Sequence, residues 1–203
     1  MKVFLPRFFC KKKLLPLVFL FGFFYLNAQV KLRIEPGVLL KTKSENIGLM
    51  LNVEPKIEIS YNSVIGLRFG ISVNSQKFET NNSSQFFIDE ENDNAVISFV
   101  STFDHYLNEN YNRPYLGIGI GYYLLSPIDV SFAGSQNILE GTVKNQLGLL
   151  LRGGFELGNT RLGLEYNFIP KADIKIPGDK AVGIVNNSYF GLSIGFTIGG
   201  RKS

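Results

Sequence analysis

The sequence predicts an all-β protein: an eight-stranded antiparallel up-and-down β-barrel that crosses a membrane. Three observations carry this. Eight segments alternate with period two, which is the spacing of strand side chains that point to opposite faces. The connections between them alternate between short and long. Glycine and the charged residues share one face of the segments, and the other face is almost purely Leu, Ile, Val, Phe and Tyr.

The N-terminus is read first because it is set apart from the rest. Lys11, Lys12 and Lys13 precede an apolar run over residues 14–26, which ends at Asn27-Ala28-Gln29. A basic stretch, a short apolar stretch and a small residue at the exit describe a secretory signal peptide. The run is shorter than the roughly 20 residues a spanning helix needs. The expected division is a signal peptide over 1–28, cleaved near Ala28, and a barrel domain over 29–203. The chain has 21 Lys and Arg against 17 Asp and Glu, and five of those cations (Lys2, Arg7, Lys11, Lys12, Lys13) lie in the leader. Twenty-one less five leaves 16 cations against 17 acids, so the basic balance belongs to targeting. It is not a nucleic-acid footprint, which needs a basic patch on the folded domain. Cys10, the only cysteine, precedes the apolar run, so no disulfide framework is expected.

The segments follow in order. Residues 31–40 place Leu32, Ile34, Val38 and Leu40 opposite Lys31, Arg33 and Glu35. Residues 49–61 alternate Leu51, Val53, Ile57, Ile59 and Tyr61 with Asn52, Glu54, Lys56, Glu58 and Ser60. Pro55 falls on the apolar face of this segment and predicts a local irregularity, since proline cannot donate to a ladder. Residues 64–74 set Ile65, Leu67, Phe69, Ile71 and Val73 against Gly66, Arg68, Gly70, Ser72 and Asn74. Residues 95–107 are the least regular, with Ile97, Phe99, Phe103 and Leu107 opposing Ser98, Val100, Thr102, Asp104 and Tyr106.

The fifth segment, 115–125, reads YLGIGIGYYLL, and its bulky residues alternate with Gly117, Gly119 and Gly121. Residues 146–158 oppose Leu147, Leu149, Leu151, Phe155 and Leu157 to Gly148, Leu150, Arg152, Gly154 and Glu156. Residues 161–169 oppose Leu162, Leu164, Tyr166 and Phe168 to Arg161, Gly163, Glu165 and Asn167. Residues 189–199 oppose Phe190, Leu192, Ile194, Phe196 and Ile198 to Gly191, Ser193, Gly195, Thr197 and Gly199. Short turns are expected around 62–63, 108–112 and 159–160. Long polar loops are expected over 75–94, 126–145 and 170–188, with an intermediate one at 41–48.

The glycines choose between two barrels. A soluble ligand-binding barrel of lipocalin type puts apolar side chains inside, and a membrane barrel puts them outside. An eight-stranded interior is only just wide enough for side chains to fill, so glycine on the inner wall makes room for long charged partners. Glycine on a wall facing water has no such use and weakens the strand. The expected inward charges are Lys31, Arg33, Lys56, Arg68, Arg152 and Arg161, with Glu35, Glu54, Glu58, Asp104, Glu156 and Glu165. They nearly balance and are expected to pair in a plugged lumen, because an unpaired buried charge is costly. Tyr61, Tyr115, Tyr122, Phe168 and Tyr189, near segment ends, are expected in interfacial girdles.

The NAQ end of the leader, RPYLGIGIGYYLL and the closing SYFGLSIGFTIGGRKS resemble the small eight-stranded outer-membrane β-barrel families, of the OmpX/OmpW and PorT-like kind, over nearly all of residues 29–203. The resemblance implies location in the outer membrane, with outer-membrane lipid and lipopolysaccharide as surroundings. It also implies insertion by the barrel-assembly machinery, periplasmic termini and short turns, and external long loops. One departure is that Phe196 is followed by residues 197–203, where many such barrels end on an aromatic. These families span adhesion, protection, small-molecule passage and secretion accessories, and name no external partner.

Catalytic and metal chemistry are not expected, and no cofactor is implied. His105 is the only histidine, in FDHYLNENY. Outer-membrane lipid A deacylases resemble this architecture and use His-x-Ser, but Tyr106-Leu107 follow His105. Asp89, Glu90, Glu91 and Asp93 form the densest carboxylate run. A divalent cation bridging to lipopolysaccharide would use oxygen ligands of this kind, yet the run lacks calcium-loop spacing and reads as a solvated acidic loop. IPGDKAVG, residues 176–183, has neither Walker spacing nor a following helix. The expected function is a non-enzymatic outer-membrane barrel with a structural, adhesive or accessory role carried by its long loops. The alternatives are a conduit or binding site for small hydrophobic molecules, and a secreted soluble ligand-binding barrel.

Overall fold

The structure, a computed structural model, describes residues 30–42, 46–75, 79–80, 86–88, 93–132 and 138–199. The leader segment 1–28 and residues 89–92 of the acidic run lie outside them. The strands are β1 (Val30–Lys41), β2 (Ile47–Ser60), β3 (Ser63–Ser75), β4 (Glu79–Thr80), β5 (Phe86–Ile88), β6 (Asp93–Tyr106), β7 (Asn112–Leu125), β8 (Ile128–Phe132), β9 (Ile138–Val143), β10 (Gln146–Leu157), β11 (Thr160–Phe168), β12 (Ala172–Ile176), β13 (Lys180–Val185) and β14 (Tyr189–Gly199).

Eight of these close into a barrel in the order β1-β14-β11-β10-β7-β6-β3-β2. Every neighbouring pair is antiparallel, and β1 meets β14 from Lys31↔Gly199 to Lys41↔Tyr189, so no sheet edge remains. The eight strands correspond to the eight alternating segments. Pro55 leaves the register intact: Val53↔Phe69 and Lys56↔Gly66 lie on one ladder, and the β2–β3 shift falls at Glu58/Ser60, beside the turn.

Burial follows the two-residue period. Leu116, Ile118 and Ile120 are about 60% exposed, while the buried side chains of the wall include Arg33, Arg68 and Arg161. The apolar rows face outward and the charged rows inward, the reverse of a soluble lipocalin-type barrel. Strands of 9–14 residues are long enough to cross a bilayer at the tilt of a membrane barrel, which takes about 9–11.

The expected long polar loops are corrected in part. The 126–145 connection contributes the paired strands β8 and β9, the 170–188 connection pairs β12 with β13, and the 75–94 connection contributes β4 and β5. Together they make a second, six-stranded sheet in the order β4-β13-β12-β9-β8-β5. This order is the barrel order with β1 and β2 left out, since β4 continues from β3 and pairs with β13, which leads into β14. Short period-two runs cause it: Ile128 and Val130 are buried on β8, and Ala172 and Ile174 on β12. Their inner faces join Leu39, Met50, Val96, Val100 and Leu150 of the barrel wall in one apolar core. Gly141 on β9 makes room for this core, because a Cβ there would meet Ile174 Cγ2 at 2.8 Å. At the tip of β12–β13, Gly178 and Asp179 take positive φ. Lys175 Nζ donates to Asp179 Oδ1 at 2.9 Å, and that hydrogen bond holds the exposed ammonium above its ordinary pKa.

Two of the expected girdle residues face inward. Tyr115 and Tyr189 are 2% and 3% exposed. They share parity with Gly117 and Gly191, so the pleat turns them into the lumen even though they sit near strand ends. Tyr61, Tyr122 and Phe168 are exposed on the outer side.

Ile174→Ala is expected to remove about 2–5 kcal/mol from the upper core. Amide exchange should then speed up in β8, β9, β12 and β13, while the eight barrel strands keep their protection.

Candidate functional site

The lumen gathers the chemistry of the chain. At the short-turn end, Lys31 Nζ meets Glu58 Oε1 at 2.6 Å, with both side chains part-exposed. Arg113 donates from Nη2 to Glu156 Oε1 at 3.0 Å and from Nη1 to the Tyr61 carbonyl at 3.1 Å. Its guanidinium lies over the Tyr106 ring, 3.6 Å from the centroid. The other carboxylate oxygen of Glu156 accepts from Arg33 Nη2 at 2.7 Å and from the Tyr106 hydroxyl at 2.6 Å. Lys56 Nζ approaches it at 3.7 Å.

Arg152 occupies the centre. It donates to both Glu54 oxygens, at 2.9 and 2.7 Å, and to both Asp104 oxygens, at 2.8 and 3.0 Å. One guanidinium thus reaches across the tube from β10 to carboxylates on β2 and β6, the two strands that flank β3, a use of its planar fork that lysine cannot reproduce. Thr102 donates to Glu54 at 2.6 Å, and Arg161 to Asp104 at 2.7 Å. Arg161 also lies 3.3 Å from the centroid of the Tyr115 ring. Glu35 stands between Arg161, at 3.6 Å, and Arg33, at 3.9 Å. One tier further up, Arg68 donates to Glu165 at 2.5 Å, Asn167 to Glu165 at 2.8 Å, and Tyr123 to Asn167 at 2.8 Å.

The geometry therefore brings Arg33, Glu35, Glu54, Lys56, Arg68, Asp104, Arg152, Glu156, Arg161 and Glu165 together as buried groups on the inner wall, with Glu58 at the open end. Glycine makes this possible. A Cβ on Gly117 would fall on the Asp104 carboxylate, and one on Gly66 on Glu54. At Gly195 it would meet Glu35 Cγ at 2.9 Å, and at Gly191 Glu165 Cγ at 2.8 Å.

Sequence reasoning did not place Arg113, Tyr106, Tyr115, Tyr123, Thr102 and Asn167 in this network. A usable signal existed for Arg113. The alternation over 115–125 continues back to the start of β7 at Asn112, and extending it by two residues turns Arg113 inward.

Among the described residues no three His, Cys, Asp or Glu side chains gather as metal ligands would. His105 points away from the lumen and meets Ser63 Oγ at 3.3 Å through Nδ1.

No family model and no curated protein matches the chain. Solved structures do resemble it. Neisserial surface protein A aligns at 15% identity over 83% of this chain and 94% of its own, with a TM-score of 0.48. Ail, the attachment invasion locus protein of Yersinia pestis, aligns at 13% identity over 84% of this chain and 97% of its own, with a TM-score of 0.39. Its complex with the heparin analogue sucrose octasulfate gives 12% identity, 84% and 99% coverage, and a TM-score of 0.36.

Arg152→Met leaves Glu54 and Asp104 buried without their main partner and is expected to cost about 3–5 kcal/mol. The part-exposed Lys31–Glu58 pair at the mouth is worth at most about 1 kcal/mol, so Lys31→Gln should be nearly silent. Urea midpoints of the folded, fast-migrating gel form measure both. Gly117→Leu, placed on Asp104, should lower the midpoint more than Leu116→Gly on the neighbouring outward position.

Closure without edges, an aliphatic wall turned outward and a charge-filled lumen give this chain the architecture of an eight-stranded transmembrane β-barrel.

Proposed function

We propose that the chain is a non-enzymatic outer-membrane protein whose role is structural, adhesive or accessory, carried by the part that extends beyond the barrel on the long-connection side. One observation carries this reading. The lumen is occupied along its length by two kinds of filling: the ion-pair network from Lys31 to Glu165, then the apolar core that begins at Leu39, Met50, Val100 and Leu150. A tube filled this way favours neither diffusion nor substrate entry. It leaves the six-stranded extension as the surface available for recognition.

In this reading the leader 1–28 is a signal peptide cleaved near Ala28. The barrel-assembly machinery inserts residues 29–203, and the short turns and both strand termini face the periplasm. Lipopolysaccharide and phospholipid surround the wall, and no cofactor or nucleic acid is involved. The basic triplet at residues 11–13 and the apolar run after it support the first point, and the apolar outer rows support the last. A conduit for small hydrophobic molecules is the weaker alternative. The apolar upper lumen favours it, but that stretch is a packed core shared with the extension.

Two measurements test the proposal. In outer membranes from cells expressing the full chain, the protein should migrate faster on SDS gels before boiling than after. Reconstituted into planar bilayers, it should give no conductance steps. A soluble periplasmic protein without a mobility shift, or regular channel openings, would overturn it.

A further inference from the structure

The outward rows of the barrel strands are apolar through the membrane, and two residues in mid-span break them. Among the described residues, Ser101 on β6 is the polar side chain there and Gly153 on β10 the glycine. They border one continuous depression. His105, Leu116, Gly153 and Leu164 lie side by side across β6, β7, β10 and β11. Phe103, Ile118, Leu151 and Tyr166 form the next row toward the upper sheet.

Between the two rows is a groove of about 540 Å³, with Gly153 and His105 among its lining residues. Phe190 flanks Tyr166, ring centroids 4.5 Å apart, and limits the groove on the far side. A second hollow of about 440 Å³ continues past Phe103, Ile118 and Leu151 to Ser101, which is far smaller than its row neighbours Phe99 and Phe103.

The two ends of this depression differ in chemistry. Its lower end reaches His105, the penultimate residue of β6 before a short turn. Ser63 and His105 are opposite each other on β3 and β6, and Ser63 Oγ lies 3.3 Å from His105 Nδ1. With the serine hydroxyl donating, the ring proton resides on Nε2, which remains a free donor at the exposed edge. From His105 to Ser101 is four residues, about 10 Å along the membrane normal at the tilt of a barrel strand. The hollow therefore runs from the periplasmic interface up into the hydrocarbon of the same leaflet.

We propose that this groove binds one glycerophospholipid of the periplasmic leaflet. An acyl chain lies against Gly153 and runs on toward Ser101, and the phosphate diester accepts a hydrogen bond from His105 Nε2. A donor at the interface end and apolar walls beyond it match a molecule with one polar head and a long tail. A second copy of the barrel would offer only its own apolar wall to His105. Lipid tails gain no hydrophobic advantage from a protein wall already in hydrocarbon, so preference here rests on van der Waals fit in the groove and on the headgroup bond. The proposal uses the orientation with short turns in the periplasm.

The test folds the full-length mature barrel into detergent micelles doped with phosphatidylglycerol and counts bound lipid by native mass spectrometry. A heat-modifiability gel on each sample reports folding and insertion, so failure of the barrel reading is visible separately from failure of this one. The wild type should retain one phosphatidylglycerol at detergent levels that strip the rest. Gly153→Leu should reduce that retention about tenfold, and Gly153→Ala by less, while Val38→Leu on the remote wall leaves it unchanged. His105→Phe should weaken phosphatidylglycerol retention but not that of a diacylglycerol, which has no phosphate. Equal retention by folded wild type and Gly153→Leu would overturn the proposal. So would a dimer abolished by Gly153→Leu with lipid retention intact, which would identify a second copy as the occupant. Diacylglycerol retained by the wild type as well as phosphatidylglycerol would overturn the role of His105.

Discussion

The width of an eight-stranded tube governs this molecule. Closure removes every sheet edge but leaves an interior that side chains must fill by themselves. Arginine, glutamate and tyrosine are long enough to meet across it only where the facing wall recedes. Glycine at 66, 117, 191 and 195 supplies that recession next to Glu54, Asp104, Glu165 and Glu35. Glycine and charge therefore share the inner rows for one steric reason. Once they do, the remaining rows must satisfy the surroundings, and in hydrocarbon that means aliphatic and aromatic residues throughout. The inside-out pattern of the sequence follows from two requirements, a full lumen and a dry exterior.

The lumen is filled by different means at its two ends. At the short-turn end the strands carry charges that pair across the tube, and water at the mouth screens what is left over. Toward the other end β1 stops at Lys41 and β2 begins at Ile47, and neither contributes to the second sheet, while strands flanking the other six continue it. A sheet of six strands spans less width than a wall of eight. Valine, isoleucine and leucine supply much of its filling, with Tyr123 and Tyr189 among them and the buried Lys41 donating to Asn187. The chemistry of the filling changes where the strand count changes.

Much of this was legible in the residues. The barrel strands announce themselves by four or five outward apolar residues each, and parity assigns the inner row without further information. Shorter alternations, such as Ile128 and Val130 or Ala172 and Ile174, carry too few periods to stand out from polar surroundings, so the sequence there predicts loops where the upper sheet forms. Tyr115 and Tyr189 were assigned by nearness to strand ends, when their parity with Gly117 and Gly191 decides their direction. The identity of ion-pair partners was not legible at all. Arg152 reaches Asp104 and Glu54, 48 and 98 residues away, and which inward residues share a level depends on strand tilt and stagger. Alternation along a single strand contains neither.

Those sequence separations also bear on how the chain reaches its native state. Arg33 on β1 holds Glu156 on β10, 123 residues away, and Arg68 on β3 holds Glu165 on β11, 97 away. Hairpins between chain neighbours form from local contacts and close short loops. The cross-lumen bonds cannot exist until the sheet has curled far enough to bring its two halves face to face, so they come late and close the longest loops. Interactions made after the rate-limiting step leave folding speed almost untouched and slow unfolding instead. The charged interior thus acts as a latch: it contributes little to assembly and resists reopening once the last hairpin is in place.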